Sequence, residues 1–119
     1  MSAADGIPPV DLATMRDTVS RVIGPGARPP AGEELDALTS MLRGQIELIM
    51  PVVEQAARKL PQYYPLRNGG LVAVWLARKK LSATVDPGPG GAVEQAVELA
   101  YALDELCDRC ESLRPPAPA

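Results

Sequence analysis

The sequence has 119 residues, about one average domain, and a chain of that size can hide roughly two thirds of its unfolded surface around one core. It is 46% apolar and 23% charged with a net charge of −3, a balance that exerts no global pull on nucleic acid or anionic membrane. It contains no His, which excludes Ser-His-Asp and Cys-His catalysis, Cys/His zinc sites and Glu-x-x-His di-iron sites.

Prolines mark the joints between four segments of helical period. The first is predicted from Asp11 to Ile23. Asp11 is a suitable N-cap, because its carboxylate can accept from orphan N–H groups. Leu12, Met15, Val19, Val22 and Ile23 fall within about 100° of arc, the width of a core stripe. Gly24-Pro25-Gly26 ends the segment.

The second segment is predicted from Gly32 to Leu60. Leu35, Leu38, Leu42, Ile46, Ile49, Val53, Ala56, Ala57 and Leu60 share one face without a break in register. Pro51 lies opposite that face, where water can satisfy the carbonyl it frees, and a bend there wraps the stripe around a core. One long helix kinked at Pro51 is expected, with two helices divided near Met50 as the alternative.

The third segment starts at Leu66 or Gly70 and ends at Ser82. Leu71, Val72, Val74, Trp75, Leu76 and Leu81 cover more than one face, so this helix is expected to sit centrally and touch two neighbours. Leu71 to Trp75 reads as a buried strand on composition alone. Its continuation through Ala77-Arg78-Lys79-Lys80-Leu81, with no partner strand, favours helix. Thr84 to Gly91 is a strong breaker, and Asp86-Pro87-Gly88-Pro89-Gly90-Gly91 reads as a turn. It lacks the Lys-Ser/Thr of a phosphate-binding loop and follows no strand. The fourth helix is predicted from Ala92 to Leu113, with Val93, Ala96, Val97, Leu99, Ala100, Leu103, Leu106, Cys107, Cys110 and Leu113 as a wide stripe.

The expected architecture is all-α, a small four-helix bundle with a long Pro-kinked second helix. Residues 11–113 form its single domain, residues 1–10 a flexible N-terminus, and residues 114–119 a disordered Pro-rich tail. Residues 61–85 carry four bases and no acid, whereas residues 86–119 carry seven acids and two bases. A basic helix joined by a tight loop to an acidic one reads as an antiparallel pair.

Few residues suggest chemistry. Cys107-Asp108-Arg109-Cys110 lies late in a helix, where the dipole raises a thiol pKa, and both sulfurs fall in the apolar stripe. Two buried, reduced thiols are expected rather than a redox or metal pair. Arg67, Arg78, Lys79 and Lys80 are candidate contacts for phosphate or a partner, against the plainer reading of a solvated face opposite the acidic helix. Arg78 shares a face with Leu71, Val74 and Trp75, so it snorkels or pairs with a carboxylate. Tyr63 and Tyr64, adjacent between Pro61 and Pro65, are candidate partner contacts, against the plainer reading of a plug over one end of the bundle.

Leu42-Arg43-Gly44-Gln45-Ile46-Glu47-Leu48-Ile49-Met50-Pro51-Val52-Val53-Glu54 resembles a segment of a streptomycete family of small proteins of unknown function, labelled "natural product biosynthesis protein". Ala77-Arg78-Lys79-Lys80-Leu81, Pro87-Gly88-Pro89-Gly90-Gly91-Ala92 and Leu103-Asp104-Glu105-Leu106-Cys107-Asp108 carry the same resemblance. It spans roughly Gly32 to Leu113 and leaves out the segment through Pro30 and the Pro-rich tail. The resemblance implies an association with secondary metabolism and assigns no catalytic or binding residue.

The leading expectation is a non-enzymatic helical protein that acts by protein–protein interaction or self-association, with the accessory role in natural product biosynthesis that the resemblance implies. Tyr63, Tyr64, Arg67, Arg78, Lys79 and Lys80 are its candidate contacts, and no cofactor, metal or catalytic residue is expected. The alternative is a ligand-binding or catalytic bundle with a pocket lined by Arg and Glu, for which Arg16, Arg43 and Arg78 are the arginines to watch. A nucleic-acid-binding regulator working through the basic third helix is a further alternative. Met1-Ser2-Ala3-Ala4-Asp5-Gly6 has neither a basic segment nor an apolar run, so no signal peptide is expected. The longest apolar run, Leu71 to Ala77, is seven residues against the ~20 of a membrane span. Together these predict a cytoplasmic protein.

Overall fold

The computed structural model describes residues 10–114, and among them the regular structure is entirely helical. The expected flexible N-terminus (1–10) and disordered tail (114–119) fall, except for residues 10 and 114, outside the described residues. The helices are α1 (Leu12–Ile23), α2 (Gly32–Arg58), α3 (Pro65–Ser82) and α4 (Gly91–Leu113). This is the all-α bundle that the periodicity predicts.

Each boundary has a local cause. Asp11 caps α1: its Oδ1 accepts from the Thr14 backbone N–H at 3.0 Å and its Oδ2 from the Thr14 hydroxyl at 2.7 Å. Those hydrogen bonds, the side-chain one first, hold the Asp11 carboxyl below its ordinary pKa. Pro65 opens α3 at its first turn, where a missing N–H costs nothing. The helix therefore starts just before Leu66, the earlier of the two expected starts, and takes in Asn68-Gly69-Gly70. Before α4, the Asp86 carboxylate accepts from the Gly88 N–H at 2.8 Å and Gly90 takes φ +83°, so the breaker is the predicted turn.

α2 runs through Pro51 as one helix, so the division near Met50 does not occur. Pro51 is exposed, and the carbonyl that loses its donor is on the solvent side. On the other side, Leu42, Ile46, Ile49 and Val53 are fully buried. Truncating Leu42, Ile46 or Ile49 to Ala in such a setting costs about 2–5 kcal/mol.

α2 and α4, not α3, occupy the centre. Each packs against all three other helices, whereas α3 touches the two neighbours expected of it, α2 and α4, and does not meet α1. The reason lies in side-chain size. α3 turns Gly70, Ala73, Val74 and Ala77 inward. A Cβ on Gly70 would lie 3.1 Å from Ala57 Cβ and 3.2 Å from Leu113 Cδ1, so α3 sits tightly against both neighbours at this level. Its larger apolar residues Val72, Trp75 and Leu76 are left facing water. α4 instead contributes Leu99, Leu103 and Leu106, all fully buried.

Ion pairs and hydrogen bonds tie the helices at their edges. Arg16 on α1 reaches Asp104 (3.3 Å), Asp108 (3.1 Å) and Glu111 on α4. Lys80 on α3 reaches Glu98 on α4 at 2.6 Å. With Gly69 beside the Arg109 guanidinium at the other end, α3 and α4 run antiparallel, as the charge pattern predicts.

Candidate functional site

The sequence-predicted contact residues are not gathered in one place. Arg67 lies in the first turn of α3, about 20 Å along the helix from Lys80. Its Nη1 donates to the carbonyl oxygens of Arg58 (3.0 Å) and Leu60 (3.1 Å), so it closes the C-terminus of α2. Arg78 turns toward α2 and sits 3.8 Å from Glu54 Oε1, the carboxylate pairing expected of it. Lys79 places its Nζ 4.9 Å from the centroid of the Trp75 ring. Lys80 pairs with Glu98. Tyr63 is 80% exposed and stands edge-to-face on Tyr64 at 5.3 Å between ring centroids, so the tyrosines do not plug the bundle.

What the fold does bring together is apolar. Val72, Trp75 and Leu76 follow one another along the outer side of α3, each about half exposed. Next to Leu76, the seam between α3 and α4 opens into a groove of about 470 Å³. Ala73, Leu76, Ala77, Tyr101 and Ala102 line it, with Lys80 on one edge and Glu98 and Glu105 on the other. Tyr101 is 60% exposed. Leu76 and Tyr101 thus bracket a groove that is chiefly hydrocarbon with charged margins, a lining suited to an apolar side chain or helix face. A reading in search of buried stripes assigns Val72, Trp75 and Leu76 to the core. The signal that identifies them as surface is the small-residue row Gly70, Ala73 and Ala77, which is the part of α3 that packs against its neighbours.

Residues 13–115 match a family described as a family of unknown function, DUF6415. The chain belongs to the DUF6415 family. The match takes in most of α1 as well as the three later helices, whereas the resemblance noted in the sequence began only near Gly32. No curated protein and no solved structure matches the chain. DUF6415 membership leaves the chemistry to be read from the residues themselves.

The two cysteines are free and buried. Burial pushes the Cys107 thiol up to about 11, and burial raises Cys110 as well. Neither is a thiolate at neutral pH, so neither is an activated nucleophile. Arg16 is committed to three carboxylates, and Arg43 Nη1 donates to the Leu81 carbonyl at 2.9 Å. With Arg78 on Glu54, the three arginines serve helix–helix contacts, and none lines the α3/α4 groove of this DUF6415 protein. A smaller groove of about 110 Å³ lies beside the start of α4 between Lys80, Asp86 and Gln95. Among the described residues no helix is long and apolar enough to cross a membrane.

Proposed function

We propose that this chain is a non-enzymatic binding protein that engages a protein partner through the α3/α4 face. The observation that carries the proposal is the exposure of Leu76 and Tyr101 in the groove and of Val72 and Trp75 along the same helix as Leu76. Exposed aromatic and aliphatic side chains clustered on one face, with charged residues at the margin, form the anatomy of a protein interface. Nucleic acid is the less suitable partner, since Lys80 and Arg78 are opposed by carboxylates and Lys79 lies over Trp75. The likeness of Leu42 to Glu54 and of the later motifs to a natural product biosynthesis family supports an accessory role in that kind of metabolism. Two free thiols suit the reducing conditions of the cytoplasm.

A photoreactive amino acid placed at Leu76 or Tyr101 tests the proposal. Illumination in the producing cell should join each to a discrete protein adduct, identified by mass spectrometry. The same residue at Leu48, exposed on α2, should give none. Adducts at Leu48 but not at Leu76 or Tyr101 would contradict the proposal.

A further inference from the structure

The inference that follows rests on the α3/α4 face being a docking surface and names its occupant. We propose that the face binds a second copy of this chain. The face carries its own complement. Its α3 side is apolar and ends in Lys79 and Lys80, and its α4 side presents Tyr101 between Glu98 and Glu105. The two helices lie side by side and antiparallel. A twofold axis along the groove, parallel to the helices, therefore lays α3 of one copy over α4 of the other. That operation sets Val72, Trp75 and Leu76 against the other copy's Tyr101. Lys80 pairs with Glu98, and Glu105 with Arg109, within one copy. Because Lys80 and Glu98 sit at one level of the groove, the twofold sets this pair against the same pair reversed, so the four charges alternate in sign, whereas a partner of a single charge sign meets a locally neutral margin.

The area bears on the kind of association. The 18 residues of α3 extend about 27 Å, and two packed helices are roughly 20 Å across. The face then buries roughly 500 Å² on each copy, about 1,000 Å² in all, the size of a weak or transient interface rather than of an obligate one. A reversible dimer in exchange with the monomer is expected.

Sedimentation velocity on the purified chain between about 5 and 500 µM tests this, read alongside the emission of Trp75, the one tryptophan in the sequence. The expected result is a rise from one to two chain masses with a concurrent blue shift of Trp75. Leu76→Glu should weaken the association at least about tenfold while leaving the helical circular dichroism unchanged, since Leu76 is exposed. Leu48→Glu, on the side of α2 turned away from α3, should leave it intact. A single chain mass at every concentration would overturn the second-copy inference, and the docking face would then stand or fall on its cross-linking test alone. A dimer that persists unchanged in Leu76→Glu would equally overturn it, because another surface would be responsible.

Discussion

Arg43 Nη1 lies 2.9 Å from the carbonyl oxygen of Leu81, so a side chain from the middle of α2 closes the C-terminus of α3. The last carbonyls of a helix have no partner within it, and a partly buried guanidinium is a strong donor for one of them. Arg43→Met retains much of the aliphatic stem but leaves that carbonyl open. It should cost about 1.5–3 kcal/mol, the range for a hydrogen bond to a charged group. A denaturant midpoint that does not move would show that water serves Leu81 equally well.

The Cys107 thiol makes stability depend on alkaline pH. Its folded value is about 11 against an ordinary 9.0, so the folded chain holds the proton more tightly than the unfolded chain. The stabilising effect is complete below the unfolded value and is lost as pH rises toward the folded one. Between about pH 9 and 11 the wild type should lose ~2–3 kcal/mol through this group. Cys107→Ala should show a smaller loss over that interval in paired thermal melts. Both thiols should also alkylate slowly in the native state at neutral pH, and fast labelling would contradict the burial that raises them.

Two glycines in helix interiors should respond in opposite directions. A Cβ on Gly44 in α2 meets nothing within 4 Å, so Gly44→Ala should stabilise by roughly 0.5–1 kcal/mol through helix propensity. Gly70 in α3 is hemmed in by Ala57, Leu113 and Val53, and Gly70→Val should cost about 1–3 kcal/mol through overpacking. Chemical denaturation of the pair separates the two effects. A tolerated Gly70→Val would mean that α3 is free to move away from α2 and α4.

The Arg16 cluster should be sensitive to salt. Its guanidinium side chain is about one-third exposed and faces three carboxylates, which would repel one another without it. Arg16→Met should cost about 1 kcal/mol at low salt, and the difference should shrink in 1 M salt as screening shortens the interaction. An effect independent of salt would assign the loss to packing of the arginine stem.

Much of this architecture is legible in the sequence because α1, α2 and α4 each have one apolar stripe. Asp11 announces its cap, and the register of α2 passes through Pro51 because proline on the solvent side leaves the stripe intact. Thr18 is the omission from the α1 core. It lies beside the stripe, and its hydroxyl donates to the Thr14 carbonyl, which removes the cost of burying it. α3 misleads for a different reason. Periodicity shows two apolar faces and does not say which is buried, and the habit of placing large residues inward chooses the wrong one. Close approach to α2 and α4 selects Gly70, Ala73 and Ala77. The role of Arg67 was equally hidden, because a lone cation after a Pro-rich linker gives no hint that the end of α2 lies within its reach.

Acrylamide quenching of Trp75 in dilute, folded protein is the most direct measurement of the claim that α3 presents its large apolar side chains outward. Trp75 is 55% exposed, so quenching should be efficient with red-shifted emission at low concentration. A blue-shifted Trp75 shielded from quencher in the isolated monomer would contradict the orientation of α3 and the docking face built on it.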